Sequence, residues 1–216
     1  RIEPHLMGSI LKLSTPTMVQ KLFSFGVWFL FFVLIEKMGE TATGISSITR
    51  SIYMILITPC FAFSTTTNTL VSRIIGEGHS DQVISVIFKV LKNCLLCTAP
   101  IVAFVALVPL RIAGIYTDDM EFAKLVVPSI IVICSGTVFQ CIGNAFFDAV
   151  SGTGNTRAAL YMETIILVIY ILFILAMTHL TTQVEWIWTA EIIYGVLLGT
   201  FSYLYIKSAK WSKTAV

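Results

Sequence analysis

The chain has 216 residues, of which 56% are apolar and only 12% charged, with a formal net charge of +2. That charged share is about half the one found in soluble domains, too little to cover a water-facing surface, so a soluble globular fold is excluded. The small net charge, with basic residues spread along the chain, also argues against a nucleic-acid partner.

Uncharged runs occupy 51–72, 93–110, 125–147 and, with His179 neutral, 164–184. Each is near or above the roughly 18 apolar residues that mark a membrane-crossing helix. Two further runs, 13–35 broken by Lys21 and 186–206 broken by Glu191, complete the set. The prediction is an all-α membrane protein with six transmembrane helices at 13–37, 45–75, 84–110, 122–150, 156–179 and 185–208. The connections between them are short and rich in breakers, so no soluble domain is expected and the chain reads as one membrane unit.

In the first predicted helix, Thr17, Lys21, Ser24 and Trp28 recur at helical spacing with Gln20 beside them. They give a polar face to an otherwise Phe-rich segment. The second opens with Arg50 and closes with a run of threonines around Asn68. Its Pro59 predicts a bend, and its hydroxyls are expected to return to backbone carbonyls. The third carries Cys94 and Cys97, a CxxC without a second pair or a βαβ setting, so neither zinc nor redox chemistry is expected. Cys60, Cys134 and Cys141 also lie in apolar stretches, and no disulfide is expected.

The fourth predicted helix bears a longer polar stripe, Thr137, Gln140, Asn144, Asp148 and Ser151. Polar groups at membrane depth bond to a neighbouring helix or line a wet cavity. Two stripes that include a Lys and an Asp favour a solvated pathway. Glu163 and Glu191 stand alone in the last two helices. Either is a candidate proton carrier or, near a helix end, a partner of Arg157 or a lysine.

The loop Ser151-Gly-Thr-Gly-Asn-Thr-Arg157 looks like a phosphate grip, but it lacks the spacing and the lysine of a Walker loop and follows a helix, so no nucleotide role is expected. Ala149-Val150-Ser151-Gly152 misses the intramembrane serine protease pattern by one residue, and the last helix has no His to act as base. His5, His79 and His179 are scattered, so no catalytic residues and no metal site are assigned. The loop reads instead as a tight turn with Gly152 and Gly154 free for positive φ and Asn155 or Thr156 as helix cap.

Arg1, Lys12, Arg73, Lys89, Lys92, Arg157, Lys207, Lys210 and Lys213 fall on one side, against Lys37, Arg50, Arg111 and Lys124 on the other. The bias predicts both termini of the segment in the cytoplasm of a cell-membrane protein. Trp186, Trp188 and Trp211 sit at predicted helix ends, where interface anchors belong. The chain opens on Arg1 without a signal-peptide pattern, as a fragment or a processed chain would.

Three blocks recur in family order: Leu11-Lys-Leu-Ser-Thr-Pro16, Asn68-Thr-Leu-Val-Ser-Arg-Ile-Ile-Gly-Glu-Gly78, and Phe139-Gln-Cys141 through Ser151-Gly-Thr-Gly-Asn-Thr156. Together they make the chain resemble the carboxy-terminal half of MATE (multidrug and toxic compound extrusion) transporters. Asn68, Arg73, Gly76, Gly78, Gly152, Gly154 and Thr156 are the motif residues that carry the likeness.

The resemblance implies a twelve-helix protein of two six-helix lobes, with the amino-terminal lobe as missing partner. It implies a protein seated in the lipid bilayer that exports small amphipathic substrates by alternating access in exchange for H⁺ or Na⁺, with no other cofactor. The expected substrate and ion pathway in this lobe is Gln20, Lys21, Ser24, Gln140, Asn144, Glu163 and Glu191. Lys21 would disfavour cationic drugs and favour an anionic or zwitterionic substrate. Where the family's cation-binding branch has a Glu and an Asp, this chain has Ser24 and Gln140, which shifts any ion site to Glu163, Glu191 or the other lobe. Alternatives are a lipid-linked sugar flippase of the same superfamily and an inactive six-helix assembly fragment.

Overall fold

The computed structural model describes residues 4–208, so Arg1, Lys210, Trp211 and Lys213, which the sequence reading placed at membrane sides and an interface, lie outside the described residues. The long apolar runs form α1 (Pro4–Glu36), α2 (Glu40–Gly76), α3 (Val83–Leu107), α5 (Met120–Gly152) and α6 (Thr156–Leu180). The sixth crossing is a pair, α7 (Val184–Trp188) and α8 (Ala190–Lys207), and a further short helix, α4 (Pro109–Ala113), follows α3. Six segments of the described chain are long and apolar enough to cross a membrane. Helices are what such a run must form, because the bilayer offers no partner for a free N–H or C=O.

Several ends differ from the predicted ones for local reasons. Pro109 cannot extend α3, so the chain breaks at Val108 and restarts with the proline at the head of α4. α2 begins at Glu40, directly after Gly39, and runs through Pro59 to Gly76. Its Thr58, Thr65, Thr66, Thr67 and Thr69 hydroxyls donate to the carbonyls four residues back, which satisfies them inside their own helix.

α5 is the axis of the lobe. α2 packs along one side and α8 along another, while α1 pairs mainly with α6. The α5–α8 crossing is made by glycine: a Cβ on Gly143 would stand 2.7 Å from the Gly195 carbonyl oxygen, and one on Gly195 would stand 2.8 Å from the Phe139 carbonyl carbon. With no side chain at either position the two backbones touch, as small residues allow in membrane bundles.

Gly152 was expected to supply a positive φ, and this is corrected. It is helical, the last residue of α5, and a Cβ there would lie 2.7 Å from the Asn68 carbonyl oxygen of α2. Its own carbonyl accepts the Ser72 hydroxyl at 2.9 Å. The turn uses Gly154 instead, at φ 83°, and Asn155 caps α6 by accepting from the Ala158 N–H at 3.1 Å. Arg73 is exposed and pairs with Glu77 beyond the end of α2, and Gly78 closes that end at φ 84°. Gly76 borders open space, and Thr156 is the first residue of α6.

Two more expectations are corrected. Trp188 is no interface anchor: it is fully buried, its ring edge-on to Phe31 at 5.0 Å, and its indole N–H donates to Ser46 at 3.2 Å. Trp186 is the exposed tryptophan of that pair. Cys60 of α2 and Cys141 of α5 are joined as a disulfide, because the tight α2–α5 contact brings their Cα atoms to 5.0 Å. Cys94 and Cys134 are buried free thiols and Cys97 is exposed. The sulfurs of Cys60, Cys94 and Cys141 lie within 4.8 Å of one another, with two of the three used in the disulfide.

Candidate functional site

The two polar stripes meet. Lys21, Ser24 and Trp28 on α1 line a cavity of about 310 Å³ with Gln140 and Asn144 on α5. α6 adds Glu163 to the same cavity and α8 adds Glu191. Gln20 is buried beside it, on the next position of α1. All seven residues predicted from the sequence as a pathway are thus brought to one place. The remaining stripe residues divide: Thr137 is buried and donates to the Ile133 carbonyl of its own helix, while Asp148 and Ser151 line a second cavity.

Glu191 is the most enclosed group. The α7–α8 break lets it enter at the first turn of α8, beside α5. Its Oε1 accepts the Tyr170 hydroxyl at 2.9 Å, and its Oε2 accepts the Tyr53 hydroxyl at 2.8 Å and the Gln140 amide at 3.0 Å. The Trp28 indole stands as a further neighbour. A carboxylate has about four acceptor positions, and neutral donors here fill most of them. Neither arginine nor lysine pairs with Glu191 among the described residues, so the alternative of a helix-end ion pair does not hold for it.

Glu163 is bound more loosely. Its Oε1 accepts the Ser24 hydroxyl and the Tyr194 hydroxyl, the latter at 3.1 Å. Its Oε2 is buried without a partner, and so is the Oε1 of Gln20. Lys21 is its electrostatic neighbour and the Gln20 side chain a hydrogen-bonding one, and Lys21 and Glu163 both act on Asp148. Arg157, the other partner considered for it, is exposed. Asn144 donates to both the carbonyl and the side-chain oxygen of Gln140, at 2.9 Å each. That orients the Gln140 amide N–H toward Glu191.

Sequence reasoning missed Tyr53, Tyr170 and Tyr194. Membrane tyrosines gather at the interfaces, and these three are mid-helix, where a buried hydroxyl needs an acceptor. Their position was the available sign that a carboxylate lay opposite.

The second cavity, about 390 Å³, opens at the loop end of α5. It is lined by Thr17, Gln20, Lys21, Asn68, Asp148 and Ser151, among others. Lys21 borders both cavities and forms the boundary between them.

Comparison with known proteins follows the same outline. A probable multidrug resistance protein NorM from Thermotoga maritima is 25% identical over 211 residues, which cover 96% of this chain and 45% of that protein. A MATE crystal structure in the bent conformation matches at TM-score 0.86 and 16% identity, over the whole of this chain and 48% of that one. A MOP superfamily transporter from Pyrococcus furiosus, described by the reverse polarity of its binding pocket, matches at TM-score 0.85 and 16% identity, over 97% of this chain and 48% of that one. These structural likenesses bear on the fold: six helices matching one half of a MATE transporter. The chain spans about half the length of the relatives it matches. The MatE family profile matches residues 16–176, three quarters of the chain, and the chain therefore belongs to this family of multi-pass membrane transporters.

Proposed function

We propose that this chain is the carboxy-terminal lobe of a cell-membrane efflux transporter that exports amphipathic compounds by alternating access, driven by an inward ion gradient. The NorM relative supports the efflux reading. The observation that carries it is the cavity where Lys21, Gln140, Asn144, Glu163 and Glu191 converge at membrane depth. A purely structural polar contact needs no cavity, whereas a substrate or ion path does. In this reading Lys21, Gln140 and Asn144 face the substrate and Glu163 serves the ion. H⁺ is the coupling ion, both termini of the segment lie in the cytoplasm, and the amino-terminal lobe closes the cavity from the other side. The two lobes then rock between states, and a ligand shifts that balance only by binding one state better than the other.

Cysteine placed singly at positions 20, 140 and 144 of the full-length protein, on a cysteine-free background, tests the assignment. Positions 140 and 144 are expected to react with a small polar methanethiosulfonate from one side of the membrane, and substrate is expected to slow that reaction. Failure of every position to react from either side would reduce the stripes to interhelical contacts. Drug efflux from proteoliposomes, set against turnover of lipid-linked oligosaccharide, separates a multidrug exporter from a flippase.

A further inference from the structure

The two buried glutamates differ in what they leave open. Glu191 has donors on both oxygens and three helices closed around it. Glu163 has its two close donors, Ser24 and Tyr194, on Oε1; the Gln20 side chain is a further hydrogen-bonding neighbour of the carboxyl, and Oε2 and the Gln20 Oε1 have no close donor. Each buried acceptor without a donor costs about 1–3 kcal/mol. A proton on Glu163 removes one orphan and supplies a donor where acceptors are in surplus. Gln20 and Glu163 are 2% and 3% exposed, so bulk water does not supply that donor directly.

Two cavities share a border at Lys21. The second cavity reaches from Ser151 at the loop end of α5 to Asp148 and Lys21, and Lys21 also borders the cavity that holds Glu163. The charged and titratable groups around Glu163 are Lys21 from α1, Asp148 from α5, and Tyr194 and Glu191 from α8. Of these, Asp148 lines the second cavity and acts electrostatically on the same lysine.

We propose that Asp148 relays the proton released by Glu163 to water in the second cavity, with Lys21 as counter-charge, along a path inside this lobe that branches from the substrate's cavity at Lys21. The inference rests on the efflux reading above and assigns its ion path. The O–H bond on Glu163 breaks as one forms, through intervening water, on the Asp148 carboxylate. The Asp148 O–H bond then breaks as water in the second cavity takes the proton and leaves as hydronium. Lys21 offsets whichever carboxylate is empty. Glu191 takes no part, since its donors are already in place.

The test uses the full-length transporter in proteoliposomes and infrared difference spectra between alkaline and acidic buffer, without substrate. A protonated-carboxyl band is expected in the parent protein and in E191Q, absent in E163Q, and shifted but present in E163D. After a rapid acidification on the side of the 151–157 loop, D148N is expected to delay the Glu163 band by roughly tenfold or more while leaving its final amplitude unchanged. A spectrum from which E163Q removes no band overturns the proposal, as does an undelayed Glu163 band in D148N. Loss of the band on adding sodium at constant pH would also overturn it, by assigning the surplus acceptors to a metal ion. Because the spectra need no transport, absent drug efflux with these bands intact would count against the efflux reading alone.

Discussion

Replacing Tyr170 with Phe takes one hydroxyl from Glu191 while leaving the ring's packing against Phe31 and Tyr194 in place. The oxygen left without that donor is buried, so Y170F is expected to lower stability by about 1–3 kcal/mol, seen as earlier thermal unfolding of the detergent-solubilised transporter. The same change made in an E191Q background should cost clearly less, because the two residues share one interaction. Additive losses would show that the Tyr170 hydroxyl acts through something other than Glu191 and that the carboxyl is satisfied by Tyr53 and Gln140 alone. Ser24 makes a similar point for Glu163: where family members of one branch carry an acid, this chain places a hydroxyl that donates to an acid from α6. A carboxyl group is thus present at that spot although the expected position does not supply it.

At the level of helices, the α5–α8 and α5–α2 contacts depend on missing side chains. G195V is expected to disrupt folding, since even a first carbon there meets the Phe139 and Gln140 backbone at 2.8 and 2.9 Å, and overpacking costs about 1–3 kcal/mol or more. G26V, in α1, meets nothing within 4 Å and serves as the neutral control. Fluorescence-detected size-exclusion chromatography of the two variants checks this, and equal monodispersity would refute it. The six crossings were legible in the sequence because bilayer thickness sets a minimum run length and single charges barely interrupt it. The polar stripes were legible because helical spacing alone puts Gln140 and Asn144 on one face. The role of Gly152 was not, because a local turn motif is silent about the Asn68 carbonyl of another helix. The α7–α8 break and the tyrosine partners of Glu191 escaped for the same reason: each depends on which helices become neighbours.

For the whole molecule, the cysteine pairing is the simplest check on how the helices are assembled. Of the five cysteines, Cys94, Cys97 and Cys134 are free and Cys60 and Cys141 are joined. Alkylation of the chain's cysteines under denaturing, non-reducing conditions should therefore label three sites and rise to five after reduction. Five labelled sites at the outset would mean that α2 and α5 are held by packing alone. The interlocked backbones of α2, α5 and α8 also divide the lobe mechanically. These three form the spine, while α1 lies against it chiefly through α6, where the Ser24 hydroxyl donates to Glu163. Pulled from the loop between α1 and α2 in an atomic force microscope, the lobe should yield in two events: an early, weak peel of α1, then a much stronger rupture when the glycine seams part.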